Sequence, residues 1–430
     1  MPAMTGFWTS SPGPLFWPLV LARLTGIKTW LSTLAGFSAA RVTTSCFWFR
    51  PCWEGKRGQP CAVLEQDRAM TDLSPNLHRV DWVDYAKGIC IVLVVLMHST
   101  LGVEKAMGET GTLHIFIQWA QPFRMPDFFL ISGLFLARRI DVPWRDYLDK
   151  KVVHFLYFYL LWMTIQFLFK GYGIWQEQGA FGLGREYALA FLEPFGTLWF
   201  IYLLPIFFVV TKLAHRVPPL LVFVFAAALE MAPIHTGWIM IDEFAARFVF
   251  FFAGYWLAGH VFRFANHMAG LSTAALLSAL LIWGFAHTEA FRFNLVTGPG
   301  LGLFFGFIGT AAVVSAGVLL SRFRISEAIR YLGENSIVVY LSFFVFMATA
   351  RAIAIRVAPG LGPDVISLAV TLAGLVGPVL LFWVSRKLGA DFLFRRPRNI
   401  TWPLRPKLET TPKVWHSAGH DNILKQSQTR

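Results

Sequence analysis

The sequence predicts an all-α fold, a polytopic transmembrane helical bundle of about ten helices with both termini on the cytoplasmic side. Three observations predict it. Of 430 residues, 56% are hydrophobic and 15% are charged, against the ~25% charged residues of an average soluble chain. Apolar segments, most of them near the ~20 residues a spanning helix needs, follow one another at short intervals. The loops between them alternate between rich and poor in Lys and Arg.

The first 69 residues stand apart. They are rich in Trp, Ser, Pro, Arg and Gly, and no acid occurs before Glu54. A moderately apolar run over 15–37 is interrupted by Pro18, Arg23 and Lys28. It reads as a membrane or targeting segment, as a disordered extension, or as sequence upstream of a start at Met70. The chain divides accordingly into an N-terminal extension over 1–79, a membrane domain over 80–390 and a basic cytoplasmic tail over 391–430.

The expected spans are 86–103, 118–137, 152–170, 197–213, 218–233, 244–262, 268–287, 300–321, 336–355 and 365–388. The fifth is the shortest. The longest gap, 171–196, carries Tyr172, Trp175 and Tyr187, which suits an interfacial loop or a short helix lying on the membrane. Basic clusters follow the second span (Arg138, Arg139, Arg145, Lys150, Lys151), the fourth (Lys212, Arg216), the sixth (Arg263), the eighth (Arg322, Arg324, Arg330) and the tenth (Arg386, Lys387, Arg395, Arg396, Arg398). That alternation puts these loops and both termini in the cytoplasm and requires an even number of crossings.

The net charge of +13 is spread over short loops and a tail, so anionic lipid accounts for it and no nucleic-acid partner is expected. Four Cys, Cys46, Cys52, Cys61 and Cys90, form no CxxC or Cys/His spacing, so neither a disulfide framework nor a metal is expected. Cys90 reads as a small packing residue.

Three constellations carry chemistry. In the first span, Asp84 and Lys87 precede an apolar run that ends at His98. Eleven residues bring Lys87 and His98 to one helix face, ~16 Å apart along the axis. Histidine is the natural proton acceptor near neutral pH, and ionisable groups at membrane depth face a protein or water interior. The alternative is a core histidine bonded to a neighbouring helix, with Lys87 snorkelling to headgroups. In the second span, Arg124 and Asp127 lie one turn apart between Pro122 and Pro126, and Ser132 follows. They either line a cavity or form an ionic pair at the outer rim. In the third, Lys151 and His154, beside Arg139 and Lys150, suit a polyphosphate or ordinary cytoplasmic anchoring.

Four stretches then carry a resemblance: Asp84-x-x-Lys87-Gly88 with His98; Met125-Pro126-x-Phe128-Phe129-x-x-Ser132-Gly133; Leu198-Trp199-Phe200; and Gly333-x-Asn335-Ser336 followed by Tyr340-Leu341. Phe252-Ala253-Gly254-Tyr255 is a weaker fifth. In this order the chain resembles the acyltransferase 3 family of membrane O-acyltransferases, in a branch similar to fucose 4-O-acetylase. Two departures stand out. Lys151-x-x-His154 takes the place of an Arg-x-x-Arg pair, and Ser342-Phe343-Phe344 occupies the neighbourhood of a family histidine.

The resemblance implies transfer of an acyl group, expected to be acetyl, from cytoplasmic acyl-CoA to a hydroxyl of a glycan or lipid-linked sugar, at a bacterial inner membrane. It implies His98 as base or transient acyl carrier, with Asp84 holding Lys87. Lys87, Arg139, Lys150, Lys151 and His154 would bind the CoA phosphates. Arg124, Asp127, Ser132 and Trp199 would meet the acceptor or an oxyanion. The rival function is a secondary transporter or flippase, suggested by the membrane-embedded Glu230 and Arg247, although no internal repeat is visible.

Overall fold

The structure, a computed structural model, describes residues 80–400 apart from positions 297, 299, 324, 325, 398 and 399. The expectations placed on 1–79, including Cys46, Cys52 and Cys61, and on 401–430 lie outside the described residues.

Every regular element among the described residues is helical. The helices are α1 (Asp81–Met107), α2 (Leu113–Trp119), α3 (Gln121–Leu134), α4 (Trp144–Leu148), α5 (His154–Leu189), α6 (Trp199–Ala214), α7 (Pro219–Met231) and α8 (Ile239–Trp256). They continue as α9 (Ala258–Gly270), α10 (Thr273–Arg292), α11 (Leu301–Leu320), α12 (Glu327–Glu334), α13 (Ser336–Val357) and α14 (Pro363–Lys387). Each expected span overlaps helix, but the second crosses the break at Ala120 between α2 and α3, and the seventh begins at the end of α9 and continues in α10. Among the described residues, six helical stretches are long and apolar enough to cross a membrane, and α8 with α9 makes up to a seventh. The helices α6 and α7 are apolar but shorter.

The sixth span differs from expectation. It straddles α8 and α9, which meet at Leu257 with a bend of 75°. The reason is compositional. The helix α9 carries His260, Arg263, Asn266 and His267, and it buries Ala258 and Ala265. A helix with so much polar surface turns away from the apolar path of α8.

The 171–196 gap also differs. The helix α5 runs on to Leu189 and breaks at Gly179, whose φ of 69° lies in the left-handed region that glycine tolerates. The chain then doubles back, so that the Tyr187 ring meets Phe167 at 5.0 Å between centroids. The Tyr187 hydroxyl lies 3.1 Å from that of Thr164.

The helix α1 is central and packs against α3, α11, α12, α13 and α14. The motif glycines explain how backbones come so close. A Cβ on Gly88 would collide with the Ile329 carbonyl, and one on Gly333 with the Asp84 carbonyl, so α1 and α12 touch backbone to backbone. Gly133 and Gly254 do the same for α3 and α8, facing the carbonyls of Phe251 and Leu130. Such small-residue contacts are how helices pack where no water drives association. Outward faces carry bare apolar side chains such as Leu168, Ile282 and Phe285, each more than two-thirds exposed, as lipid-facing surfaces do.

Candidate functional site

The helix α1 carries the first constellation as one continuous rod. Asp84 is buried, and its carboxylate lies 3.8 Å from the Lys87 ammonium, which is partly exposed near the Phe135 ring. His98 sits further along the same helix and is partly accessible. Its ring lies 5.4 Å from that of Phe343 on α13. Among the described residues His98 makes no hydrogen bond, so no neighbouring helix holds it as a core histidine. The departure at 342–344 has a structural counterpart: Ser342 bonds back to its own helix at Val338, while Phe343 covers His98.

Arg124 and Lys170 both act electrostatically on His98. Arg247 acts in turn on Arg124, and Arg351 acts on Lys170. Arg124 is buried rather than set at a rim. One guanidinium N–H donates to the Ile117 carbonyl at 3.1 Å, and its buried Nε has no partner among the described residues. A buried donor without an acceptor is costly, which marks it as available to an incoming oxygen.

Asp127 is fully buried on α3 and accepts from the Cys90 thiol of α1. Its other oxygen has no partner among the described residues. Cys90 is therefore more than the small packing residue expected of it. Two proline-flanked turns hold Arg124 and Asp127 on the same segment, and both face protein. Ser132 lies two turns further along α3 and spends its hydroxyl on the Phe128 carbonyl at 2.7 Å. It is not brought to Arg124.

The stretch 190–198 supplies the next wall. It is irregular backbone inside the bundle, tolerated where protein satisfies it. Tyr159 donates to the Ala190 carbonyl and accepts from Phe195 N–H at 3.2 Å. Gln166 donates to the Thr197 hydroxyl at 3.2 Å. The Lys170 ammonium lies over the rings of Phe195 and Phe344 at 4.8 and 4.5 Å. At the start of α6, Tyr340 accepts from Phe200 N–H at 3.1 Å and donates to the Thr197 carbonyl. Trp199 is half-buried there, its ring 6.0 Å from Phe129.

At the other end of the bundle, beyond Lys87, a second basic group assembles. Arg139 and Lys150 are exposed, and Lys151 lies 4.4 Å over the Phe208 ring. The charges of Lys151 and Arg396 both act on His154, and Arg396 pairs with Asp149 at 2.7 Å. Lys212 holds this loop. Its ammonium donates to the carbonyls of Ile140 and Val142, the latter at 2.8 Å, under the faces of Trp144 and Tyr147. Sequence reasoning counted Lys212 as one more loop cation. Its aromatic neighbours 65 or more positions away gave no local signal.

The site is thus two-ended. One end presents exposed cations suited to phosphates. The other holds a histidine in a cationic, largely water-excluded setting that favours developing negative charge.

The chain is similar to known membrane proteins. The inner membrane protein YcfT of Escherichia coli (strain K12) is 24% identical over 241 residues, covering 50% of this chain and 68% of its own length. No solved structure matches the chain. The family model of the acyltransferase domain, acyltransferase 3, matches residues 80–385, and the chain belongs to that family of membrane proteins.

Proposed function

We propose that the protein is a membrane O-acyltransferase that moves an acetyl group from cytoplasmic acetyl-CoA to a hydroxyl of a glycan or lipid-linked sugar at a bacterial inner membrane. The observation that carries this reading is His98: a partly accessible imidazole with no hydrogen-bond partner among the described residues, in the field of Arg124 and Lys170. In this reading ten helices cross the membrane, and Lys87, Arg139 and Lys151 lie on the cytoplasmic side.

The donor's phosphates meet Arg139, Lys150, Lys151 and His154, with Lys87 at the mouth of the passage. The thioester carbonyl is set near Arg124. His98 takes the proton of the acceptor hydroxyl as its oxygen attacks that carbonyl. The negative charge on the carbonyl oxygen is met by the Arg124 Nε–H. The carbon–sulfur bond then breaks, the proton passes to the leaving thiolate, and the products are the acyl ester and free CoA. Asp127 and Cys90 fix the turn that bears Arg124. A positioned base contributes ~10²–10⁴-fold to such a step.

Membranes containing the protein, given acetyl-labelled CoA, should pass label to endogenous glycan. The His98→Ala protein, present at the same level, should not. Equal labelling by the two would rule out the base.

A further inference from the structure

A polar cleft of about 140 Å³ opens beside this centre. It lies between α3, α7, α8 and α11, and Gln121, Pro126, Glu230, Arg247, Phe250 and Gly302 line it. Nothing in the proposed reaction uses Glu230. One of its carboxylate oxygens, Oε2, is buried with no partner among the described residues. The other faces Gly302, where an added Cβ would stand 3.3 Å away. Arg247 is held by Glu243 at 3.0 Å, and its charge acts on Glu230 and on Arg124 alike. Pro122 and Pro126 of the cleft wall stand two residues on either side of Arg124 on α3.

We propose that this cleft seats the acceptor, and that it selects a neutral, hydroxyl-bearing sugar ring over an acidic one. The inference rests on the acyltransferase reading. The ionisable groups that line the cleft are of opposite sign, Glu230 and Arg247, and Arg247 is already paired with Glu243 at 3.0 Å, so the cleft holds no excess positive charge to draw an anion. The orphaned Glu230 oxygen requires a donor. A sugar hydroxyl donates, whereas a uronate, phosphate or sulfate oxygen does not and is repelled. Gln121 and Arg247 add donors for ring and hydroxyl oxygens, and Phe250 supplies an apolar wall, the usual division of labour in a ligand pocket. At the ~30 Å³ a water occupies in the liquid, the volume holds about five waters, on the order of one sugar ring.

The test uses a bacterial host whose own copy of the gene is deleted. It carries the full-length wild type, His98→Ala, Glu230→Gln, Gln121→Leu or Gly302→Val, each matched for amount in the membrane. Mass spectrometry of the host's surface glycans reads the acyl content and, by fragmentation, the sugar that bears it. The wild type should place the acyl group on a neutral sugar, and His98→Ala should remove it. Glu230→Gln and Gly302→Val should each lower it by about tenfold or more, the effect of losing a hydrogen bond to a charged group or the space itself. Gln121→Leu should lower it less. If His98→Ala changes nothing, the acyltransferase reading fails. If His98→Ala abolishes acylation while Glu230→Gln, Gln121→Leu and Gly302→Val all keep wild-type levels, the cleft is not the acceptor's seat. An acyl group found on an acidic sugar overturns the proposed selectivity in the same way.

Discussion

The Tyr340 hydroxyl accepts a hydrogen bond from Phe200 N–H at 3.1 Å across 140 positions of sequence. The same hydroxyl donates to the Thr197 carbonyl. One phenol thereby satisfies a donor and an acceptor where the helix α6 begins inside the bundle. The third and fourth sequence motifs meet at this point.

Tyr340→Phe should therefore destabilise the protein without changing its packing volume. It leaves a buried N–H and a buried carbonyl unmade, each costing ~1–3 kcal/mol. The expected outcome is a lower melting midpoint of the detergent-solubilised protein by tryptophan fluorescence, with Tyr331→Phe, whose hydroxyl accepts from the exposed Trp383 indole, shifting it far less.

Two glycine pairs should tolerate no side chain. Gly333→Val and Gly254→Val each drive a branched group into a facing carbonyl, of Asp84 and Leu130 respectively. Both should abolish the monodisperse peak in fluorescence-detected size-exclusion chromatography. Gly284→Ala, on a lipid-facing turn with nothing within 4 Å, should leave that peak unchanged.

In the proposed reaction, Arg124→Lys keeps the charge and loses the Nε–H. Removal of an oxyanion donor costs ~10²–10³-fold in kcat, and lysine cannot reproduce the planar fork. Label transfer from acetyl-CoA should fall by about that factor, with the KM for acetyl-CoA little changed. A wild-type kcat in Arg124→Lys would remove Arg124 from the chemistry.

Lys212→Met should act on the donor side instead. It frees the carbonyls of Ile140 and Val142 and loosens the loop that carries Arg139 and Lys151. The KM for acetyl-CoA should rise several-fold while kcat is largely kept, as initial rates over a range of donor concentrations would show.

Much of this was legible before any coordinates. Apolar length announced an all-helical membrane fold, because lipid leaves the backbone no other way to satisfy itself, while six or seven helical stretches among the described residues, rather than ten, are long and apolar enough to cross. The contact of Asp84 with Lys87 that the resemblance implied is present at 3.8 Å, and the burial of Arg124 and Asp127 settles their place inside the protein. What was illegible depends on tertiary contact. Cys90 and Asp127 are 37 positions apart on different helices, and a cysteine in an apolar run looks like filler. The bend at Leu257 has no proline to announce it. Arg322 read as an orienting loop cation, yet its guanidinium donates to the carbonyls of Met268, Ala269 and Leu271 and to the Thr273 hydroxyl, clamping the joint between α9 and α10. Charge patterning gives the side of the membrane and is silent about which carbonyls a given arginine will find.

The irregular stretch 190–198 has a consequence for how the protein is made. Its partners Tyr159, Gln166 and Lys170 are synthesised before it, but Tyr340 is not. When α6 leaves the ribosome, the groups at its start have no phenol to meet, and they must wait until α13 has entered the bilayer. The first half of the chain is then a waiting partner rather than a finished unit. A truncation ending before Tyr340 should be degraded as an orphan, and the later helices supplied as a separate chain should rescue it.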